Sequence, residues 1–232
     1  FDSGPAIIEP SKVIKPLQDA PQVCISVFSD KLKDQFLDRY KSEIIYDVSS
    51  VVGSSFLYKL TDGDFQFGLF MPSVGAPAAC GQFDELVALG IENFVYLGCC
   101  GVLRHDIADG HLIIPTSAIR DEGTSYHYAP ASDEIDPDEK LIRITETVMD
   151  DLKPEYVKGK VWTTDAYFRE TLSKLQRVKK MGAICVDMEC ASLAAAAKFR
   201  NVSFTQFFWA ADNLDAPAWD ERGLSTKGVS VA

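Results

Sequence analysis

Strand-like and helix-like patterns alternate along nearly the whole chain, and this alternation restricts the fold more than any other feature. Short apolar runs, such as residues 22–28 and 202–213, are typical of buried strands. Amphipathic segments with capping residues lie between such runs, for example residues 29–41 and 136–152. The alternation predicts an α/β fold with a central mixed β-sheet, partly or mostly parallel, flanked by helices.

The chain of 232 residues is long enough for one large α/β domain, and no internal repeat or linker divides it. Several prolines fall within residues 1–21, so we expect an irregular leader there. Residues 22–232 are then expected to form a single domain. The other predicted elements are a hairpin around residues 61–64, helices at 73–90, 169–182 and 189–200, and strands at 93–98, 112–119, 156–166 and 183–188.

The charge balance argues against polyanionic partners. Lysine and arginine total 23 and aspartate and glutamate total 34, which gives a net charge of −11. A nucleic-acid or membrane surface needs clustered basic residues, so neither partner is expected, although a local basic pocket for a small anion stays open. The chain has no apolar run of eighteen residues, and its start lacks the apolar core of a signal peptide. We therefore expect a cytoplasmic location.

The six cysteines favour buried free thiols over redox or metal chemistry. Most lie in apolar or small-residue runs, and no Cys-x-x-Cys pair is present. A disulfide between the adjacent Cys99 and Cys100 would close a strained ring. The three histidines show no metal-ligand spacing. We expect no metal site and a reducing compartment.

Ligands of α/β proteins bind at the carboxyl ends of strands, and four predicted strand ends carry reactive or flexible residues. These ends are residues 73–75, 98–101, 186–189 and 211–213. Gly98 and Gly101 would let the backbone turn with its amides exposed, as a plain turn or as an anion-binding nest. The glycine motifs of dinucleotide-binding and P-loop proteins are absent from the sequence.

Carboxylates stand at two of these ends. Asp187 and Glu189 occur where a buried strand turns into an alanine-rich helix. Glu189 either complements the helix dipole or accepts hydrogen bonds from vicinal sugar hydroxyls, with Met188 offering the sugar an apolar face. Asp212 ends a very apolar strand, where it is either part of a turn with Asn213 or a general acid.

Taken together, several stretches resemble the nucleoside phosphorylase family, which contains purine nucleoside phosphorylases, uridine phosphorylases and methylthioadenosine nucleosidases. The likeness runs from about residue 22 to 215 and is nearest to uridine-phosphorylase-like members. It is carried, in order, by "SVGAPAA", "YLGCCGVL", "IIPTSAIRDEGTSYHYAP", "VWTTDAYFRET", "AICVDMECASLAAAA" and "WAADNL". The resemblance implies a phosphorylase/hydrolase-like fold and cleavage of a nucleoside N-glycosidic bond, with inorganic phosphate as co-substrate and no cofactor.

The resemblance also implies residue roles. Glu189 would hold the ribose 2′ and 3′ hydroxyls, and Asp212 would protonate the departing base or hydrogen-bond to it. Tyr167 or Phe168 would stack on the base, and Arg169 would reach its polar edge. The substrate-binding set is completed by Met188 and Asp187.

The phosphate site departs from the family pattern. Where phosphorolytic members carry an arginine and then a serine or threonine, this chain has Tyr96 and Cys99. Ser29 and Lys33 stand where an early glycine and arginine are usual, and lysine lacks the bidentate geometry of arginine. The residues expected at an atypical phosphate site are Gly75, Gly98, Cys99, Gly101, Lys33 and Ser29.

Three functions therefore stay open at the level of sequence. The first is a nucleoside phosphorylase with an atypical phosphate site. The second is a nucleosidase, in which water replaces phosphate, and the third is a nucleoside-binding protein without turnover. The base, purine or pyrimidine, is not readable, and family habit implies a homo-oligomer, either a dimer or a hexamer.

Overall fold

The computed structural model describes residues 1–51, 53–222 and 224. Within them, ten strands form one mixed sheet with helices packed around it. The strands are β1 (Val23–Val27), β2 (Lys41–Ser50), β3 (Gly53–Asp62), β4 (Phe65–Phe70), β5 (Asn93–Val102), β6 (Leu112–Asp121), β7 (Glu134–Ile135), β8 (Tyr156–Thr164), β9 (Ala183–Asp187) and β10 (Ser203–Asn213). The α-helices are α1 (Pro10–Val13), α2 (Asp30–Arg39), α3 (Ala76–Ala88), α4 (Ser125–Tyr128), α5 (Glu139–Leu152), α6 (Leu172–Lys180) and α7 (Cys190–Arg200), and a 3₁₀ helix covers Tyr167–Arg169.

The sheet closes on itself at one side and stays open at the other. Its order is β10-β6-β8-β9-β5-β1-β4-β3-β2, and β10 also pairs with β5, so five strands form a closed ring. The pairings β4–β1, β1–β5 and β5–β10 are parallel, whereas β9 is antiparallel to β5. The expected single α/β fold with a central mixed sheet is confirmed.

Local sequence signals account for the helices that surround the sheet. Helix α2 begins after Ser29, whose hydroxyl accepts a hydrogen bond from the Leu32 amide. Asp138 and Thr171 cap α5 and α6 in the same way. Helix α7 is buried from Cys190 to Ala197, and its small side chains let it pack closely on α3 and the sheet.

Some elements were not predicted. Strand β2 pairs with β3 at the outer edge of the sheet, and its side chains are mostly exposed. An edge strand without a buried face lacks the alternation by which strands are predicted. One helical turn, α1, also interrupts the leader that was expected to be irregular, and the short α4 and β7 carry too few residues for a pattern.

The predicted turn at Gly98 to Gly101 is wrong, because β5 continues as a strand to Val102. Neither glycine has a positive φ. Gly98 pairs with β10 at Phe208, and Gly101 pairs with β9 at Val186. A Cβ on Gly101 would lie 2.5 Å from the Leu214 side chain, so glycine is needed for close packing rather than for a turn.

No helix in the described part of the chain is long and apolar enough to cross a lipid bilayer.

Candidate functional site

A cavity of about 740 Å³ opens where β5 changes its neighbour. Strand β1 pairs with β5 up to Leu97, and β9 begins to pair with it at Gly101. The intervening Gly98–Cys100 segment lines the cavity. A fork between two strands on one side of a third is where α/β sheets commonly bind ligands.

The cavity brings together most of the residues expected from the sequence. Those that line it are Gly98, Cys99, Gly101, Tyr167, Phe168, Asp187, Met188, Glu189 and Asp212. Gly75 reaches it through a hydrogen bond to Glu189. Arg169, Ser29 and Lys33 are not among the lining residues.

The junction between β9 and α7 forms the deepest wall. The Asp187 carboxylate accepts hydrogen bonds from the Thr163 hydroxyl (2.7 Å) and from the amides of Glu189 (3.0 Å) and Cys190 (2.7 Å). Thr163 Oγ1 also accepts from the Ala191 amide. Asp187 and Thr163 therefore cap α7, and this leaves the Glu189 side chain free to point elsewhere. A role of Asp187 in substrate binding stays a prediction.

Glu189 lies in this wall with 6% of its surface exposed. Its Oε1 accepts a 2.6 Å hydrogen bond from the Gly75 amide. Gly75 has a φ of +100°, a conformation that favours glycine. Burial, reinforced by the nearby Asp187 charge, raises the pKa of Glu189 to about 8. At neutral pH this side chain can therefore both donate and accept a hydrogen bond.

Asp212 lies near the mouth of the cavity. It falls where the pairing of β10 with β5 shifts register between Ala210 and Asn213. Its Oδ2 accepts a 2.7 Å hydrogen bond from Trp219 Nε1. A Cβ placed on Gly101 would come within 3.2 Å of its Oδ1, so the absence of a side chain at Gly101 makes room for the carboxylate.

Aromatic side chains form the rim. Tyr167 and Phe168 follow β8 in the 3₁₀ helix, with ring centroids 4.3 Å apart, and are 56% and 86% exposed. Trp219 is 62% exposed and also lines the cavity. An exposed aromatic rim beside a polar floor suits a ligand with one flat apolar part and one polar part.

Sequence reasoning missed several polar or aromatic lining residues, among them Glu170, Gln206 and Trp219. Burial, and secondarily the charge of Asp212, raises the pKa of Glu170 to about 7. Glu170 directly follows Arg169 in the stretch that was expected to bind the base. This position was the one feature of the sequence that could have pointed to Glu170. Gln206 lies inside an apolar strand, where a polar residue is itself a signal. Trp219 lies in a polar segment, seven residues after Asp212.

Two of the residues expected at the phosphate site, Ser29 and Lys33, lie outside the cavity lining. Ser29 caps α2, and the Lys33 ammonium pairs with Asp30 (2.8 Å) and Asp34 (3.5 Å) on that helix. Burial, with the Asp212 charge as a second cause, raises the pKa of the Cys99 thiol to about 11. Cys99 is therefore a neutral thiol, which is a weak hydrogen-bond donor and a poor nucleophile.

The cavity is acidic. Its described lining contains four carboxylates and no lysine, arginine or histidine. These carboxylates belong to Glu170, Asp187, Glu189 and Asp212. Within the described ranges, no three His, Cys, Asp or Glu side chains converge as metal ligands.

Comparisons with known proteins point to one family. The family profile described as "Phosphorylase superfamily" matches residues 66–227. The chain is 25% identical over 155 residues to the guanosine phosphorylase of Halorubrum lacusprofundi, covering 66% of this chain and 64% of that protein. It is 32% identical over 95 residues to the uridine phosphorylase of Treponema pallidum, covering 41% of this chain and 37% of that protein. The chain thus spans less than two thirds of either relative.

Solved structures share the fold. The purine nucleoside phosphorylase of Toxoplasma gondii, in complex with immucillin-H, superposes with a TM-score of 0.75 at 15% identity, covering 87% of this chain and 83% of that one. The uridine phosphorylase of Vibrio fischeri superposes with a TM-score of 0.75 at 19% identity, covering 88% and 84%.

Proposed function

The chain belongs to the phosphorylase superfamily, and from this premise we propose that it cleaves the N-glycosidic bond of a nucleoside by phosphorolysis, as a pentosyltransferase. The products would be a free base and ribose 1-phosphate. One observation carries the proposal: a buried glutamate, Glu189, and an accessible aspartate, Asp212, line a single cavity with an aromatic rim. The names of the relatives, guanosine and uridine phosphorylase, support it.

The sugar would lie against the inner wall. Glu189 offers both a donor and an acceptor to vicinal hydroxyls, and its Oε1 is held in place by the Gly75 amide. Met188 lines the same wall and would pack against the sugar ring. Such contacts strengthen as the sugar gains oxocarbenium character, because a hydroxyl is more acidic near a developing positive charge.

The base would lie between the rim and Asp212. Tyr167 or Phe168 would stack on it, and a proton or hydrogen bond from Asp212 would stabilise the negative charge of the departing base. Trp219 donates to the other oxygen of that carboxylate and so fixes its orientation. Arg169 adjoins the two aromatic residues and would reach the polar edge of a base that protrudes from the cavity.

Phosphate would enter beside the Gly98–Cys99 backbone, at the fork between β1 and β9. The start of α2 is close, because Phe28 lines the cavity and Ser29 follows it. Lys33 would supply positive charge by leaving Asp30 and Asp34. This site is atypical because its described lining contributes no cation.

The lack of a cation among the described lining residues favours hydrolysis as a second candidate function. A phosphate dianion in this lining has to overcome its own dehydration and the repulsion of those carboxylates that are ionised, whereas water does not. A nucleosidase would use the same Glu189 and Asp212.

One experiment separates the functions. The protein is incubated with purine and pyrimidine nucleosides, with and without phosphate, and the free base and ribose 1-phosphate are measured. We expect base release that requires phosphate and is matched by ribose 1-phosphate. Release that does not depend on phosphate would replace phosphorolysis by hydrolysis. Binding without release would leave the nucleoside-binding alternative.

The remaining expectations are also proposals. We propose a homo-oligomer, a dimer or a hexamer, located in the cytoplasm and acting without a cofactor. Light scattering of the purified protein at several concentrations tests the oligomeric state directly.

A further inference from the structure

Gln206 is a buried amide whose hydrogen-bonding groups are unused. It lies on β10, is 4% exposed and lines the cavity. Neither Oε1 nor Nε2 has a hydrogen-bond partner within the described part of the chain. Its neighbours on the same face of the strand, Phe204 and Phe208, are buried and apolar.

Tyr96 lies beside it on the adjacent strand, as its register partner in the pairing of β10 with β5. Tyr96 is fully buried, and its hydroxyl makes no hydrogen bond of normal geometry to the described residues. Burial raises the pKa of Tyr96 well above its usual value, and the side chain of Ser26 partly offsets this rise. Ser26 is the register partner of Tyr96 on β1. Two neutral polar side chains thus lie side by side in the sheet, and Gln206 is the one that lines the cavity.

Such groups are costly when they stay unpaired. A buried donor or acceptor without a partner destabilises the folded state, and more than nine in ten such groups are satisfied in folded proteins. An apolar residue of similar size, such as methionine, would avoid this cost at position 206. A ligand that completes the hydrogen bonds explains why an amide occupies this position in the cavity lining.

The chemistry around the pair selects the kind of ligand. The amide of Gln206 offers one acceptor and two donors, so it matches a neutral hydroxyl group, which both donates and accepts a hydrogen bond. The nearest ionisable groups in the cavity wall include Glu189, which contributes to the raised pKa of Tyr96. An anion at this position would lie next to a carboxyl group and find no lining cation in the described residues.

We infer that the Gln206 amide forms a subsite that binds one hydroxyl group of the nucleoside sugar, in the same cavity that Glu189 lines. The inference rests on the proposed function, since it takes the ligand to be a nucleoside. It makes Gln206 a specificity-determining residue that distinguishes a riboside from the deoxyriboside that lacks this hydroxyl.

The test pairs enzyme variants with substrate analogues. Gln206→Met removes the amide and keeps the length of the side chain. The wild type and this variant are compared on the best nucleoside of the panel and on its 2′-, 3′- and 5′-deoxy analogues. The control is Thr205→Val, which removes a polar group from the same strand where it contacts Thr145 rather than the cavity.

We expect Gln206→Met to lower kcat/KM for the parent nucleoside about three- to tenfold, the loss typical of one neutral hydrogen bond. We call the fall in kcat/KM from the parent nucleoside to a deoxy analogue the penalty of that analogue. For the one analogue that lacks the bound hydroxyl, the penalty seen in the wild type should nearly vanish in the variant, while the other penalties stay. The melting temperature should stay equal or rise, because an unpaired buried amide has been removed. Thr205→Val should change no analogue penalty.

Three results would overturn the inference. One is an unchanged kcat/KM of Gln206→Met on the parent nucleoside, and another is an equal loss on the parent and on all three analogues. The third is a loss that is seen only in base release without phosphate, while the effects of the three deoxy substitutions stay as in the wild type. That result would mean that the amide binds a water molecule instead of a sugar hydroxyl.

Failure of the proposed function is distinguishable from failure of this inference. If the wild type cleaves no nucleoside, the same comparison is made with dissociation constants from calorimetry. Loss of one analogue penalty in Gln206→Met would then support the subsite in a protein without turnover. If the wild type binds neither the parent nucleosides nor their analogues, both proposals are wrong.

Discussion

The inner wall and the rim of the cavity are built in opposite ways. The inner wall, formed by β5, β9 and the start of α7, is buried, and its carboxylates accept hydrogen bonds from backbone amides and a threonine hydroxyl. The rim, formed by Tyr167, Phe168 and Trp219, is more than half exposed. Within it, one side-chain hydrogen bond joins Trp219 to Asp212.

This difference indicates how the two parts would contribute to binding. Groups held by several hydrogen bonds in a packed wall lose little entropy when a ligand arrives, so they suit the atoms whose position decides the reaction. Exposed aromatic rings can adjust to the ligand, and they suit the part that varies between substrates. Substitutions in the wall should therefore change stability and turnover together, whereas substitutions in the rim should change substrate affinity alone.

Asp212 lies between the two regions, and its replacement should have the largest effect. Asp212→Asn removes the proton donor and keeps the shape and the hydrogen bond from Trp219. We expect kcat to fall by roughly 10²–10⁴, the usual worth of a general acid, while the dissociation constant of the nucleoside changes little. Steady-state kinetics and calorimetry measure the two quantities.

The matched control is Asp220→Asn, which changes an exposed aspartate in the same segment and should leave kcat unaltered. An equal loss of affinity and of kcat in Asp212→Asn would indicate that Asp212 binds the ground state and is not the acid.

Gly101→Ala tests whether the close packing of the wall determines the position of Asp212. The added methyl would lie 2.5 Å from Leu214 and 3.2 Å from the Asp212 carboxylate. We expect a loss of about 1–3 kcal/mol in the free energy of unfolding, because the wall is overpacked, together with a fall in kcat. Urea denaturation and kinetics measure the two effects.

Gly81→Ala, on α3, is the paired control, since an added Cβ there meets nothing within 4 Å. It should stabilise the protein by about 0.5–1 kcal/mol and leave kcat unchanged. If Gly101→Ala behaved in the same way, the wall would be looser than we infer.

The acidic wall should make stability fall as pH rises. Burial raises the pKa values of Glu189, Glu170 and Asp187 above those of the unfolded chain, to about 8, 7 and 6. Groups with raised folded-state pKa values stabilise the fold below their unfolded values and lose that contribution as pH passes through the folded values. We therefore expect the free energy of unfolding to decrease between about pH 5 and pH 9.

Glu189→Gln should reduce this dependence, because glutamine stays neutral and still accepts from the Gly75 amide. Glu43→Gln, at an exposed site paired with Lys59, should leave the slope over this range unchanged, because that pairing lowers the pKa of Glu43. Denaturant unfolding at several pH values measures the slope, and an identical slope in wild type and Glu189→Gln would contradict the assignment.

Phe168→Ala, in the rim, should have the smallest effect. Loss of one stacking ring is worth about 0.5–1.5 kcal/mol, so we expect KM to rise about three- to tenfold with kcat and melting temperature unchanged. Phe65→Ala removes a similarly exposed ring at the start of β4, outside the cavity lining, and should not change KM. A fall in kcat or stability in Phe168→Ala would mean that the rim is as firmly built as the wall.

The sequence determined which segments form strands and helices, because burial of one face leaves a periodic record. The apolar run at β10, the capped α2 and the alanine-rich α7 all follow from local patterns. The same local signals marked Glu189 and Asp212, since a carboxylate at the end of an apolar strand is conspicuous. Edge strand β2 and the short α4 left no comparable record.

Tertiary structure decided which of these residues meet. Gly98 and Gly101 looked like a turn, but pairing with β10 and β9 extends the strand through them. Gly101 instead makes room for Leu214 and Asp212, and Gly98 lies against Phe28. Gln206 was hidden inside an apolar run, and Lys33 turned out to be paired on its own helix. Hydrogen-bond partners far apart in sequence, such as Gly75 and Glu189, depend on how the strands are ordered, and strand order leaves no periodic pattern in the chain.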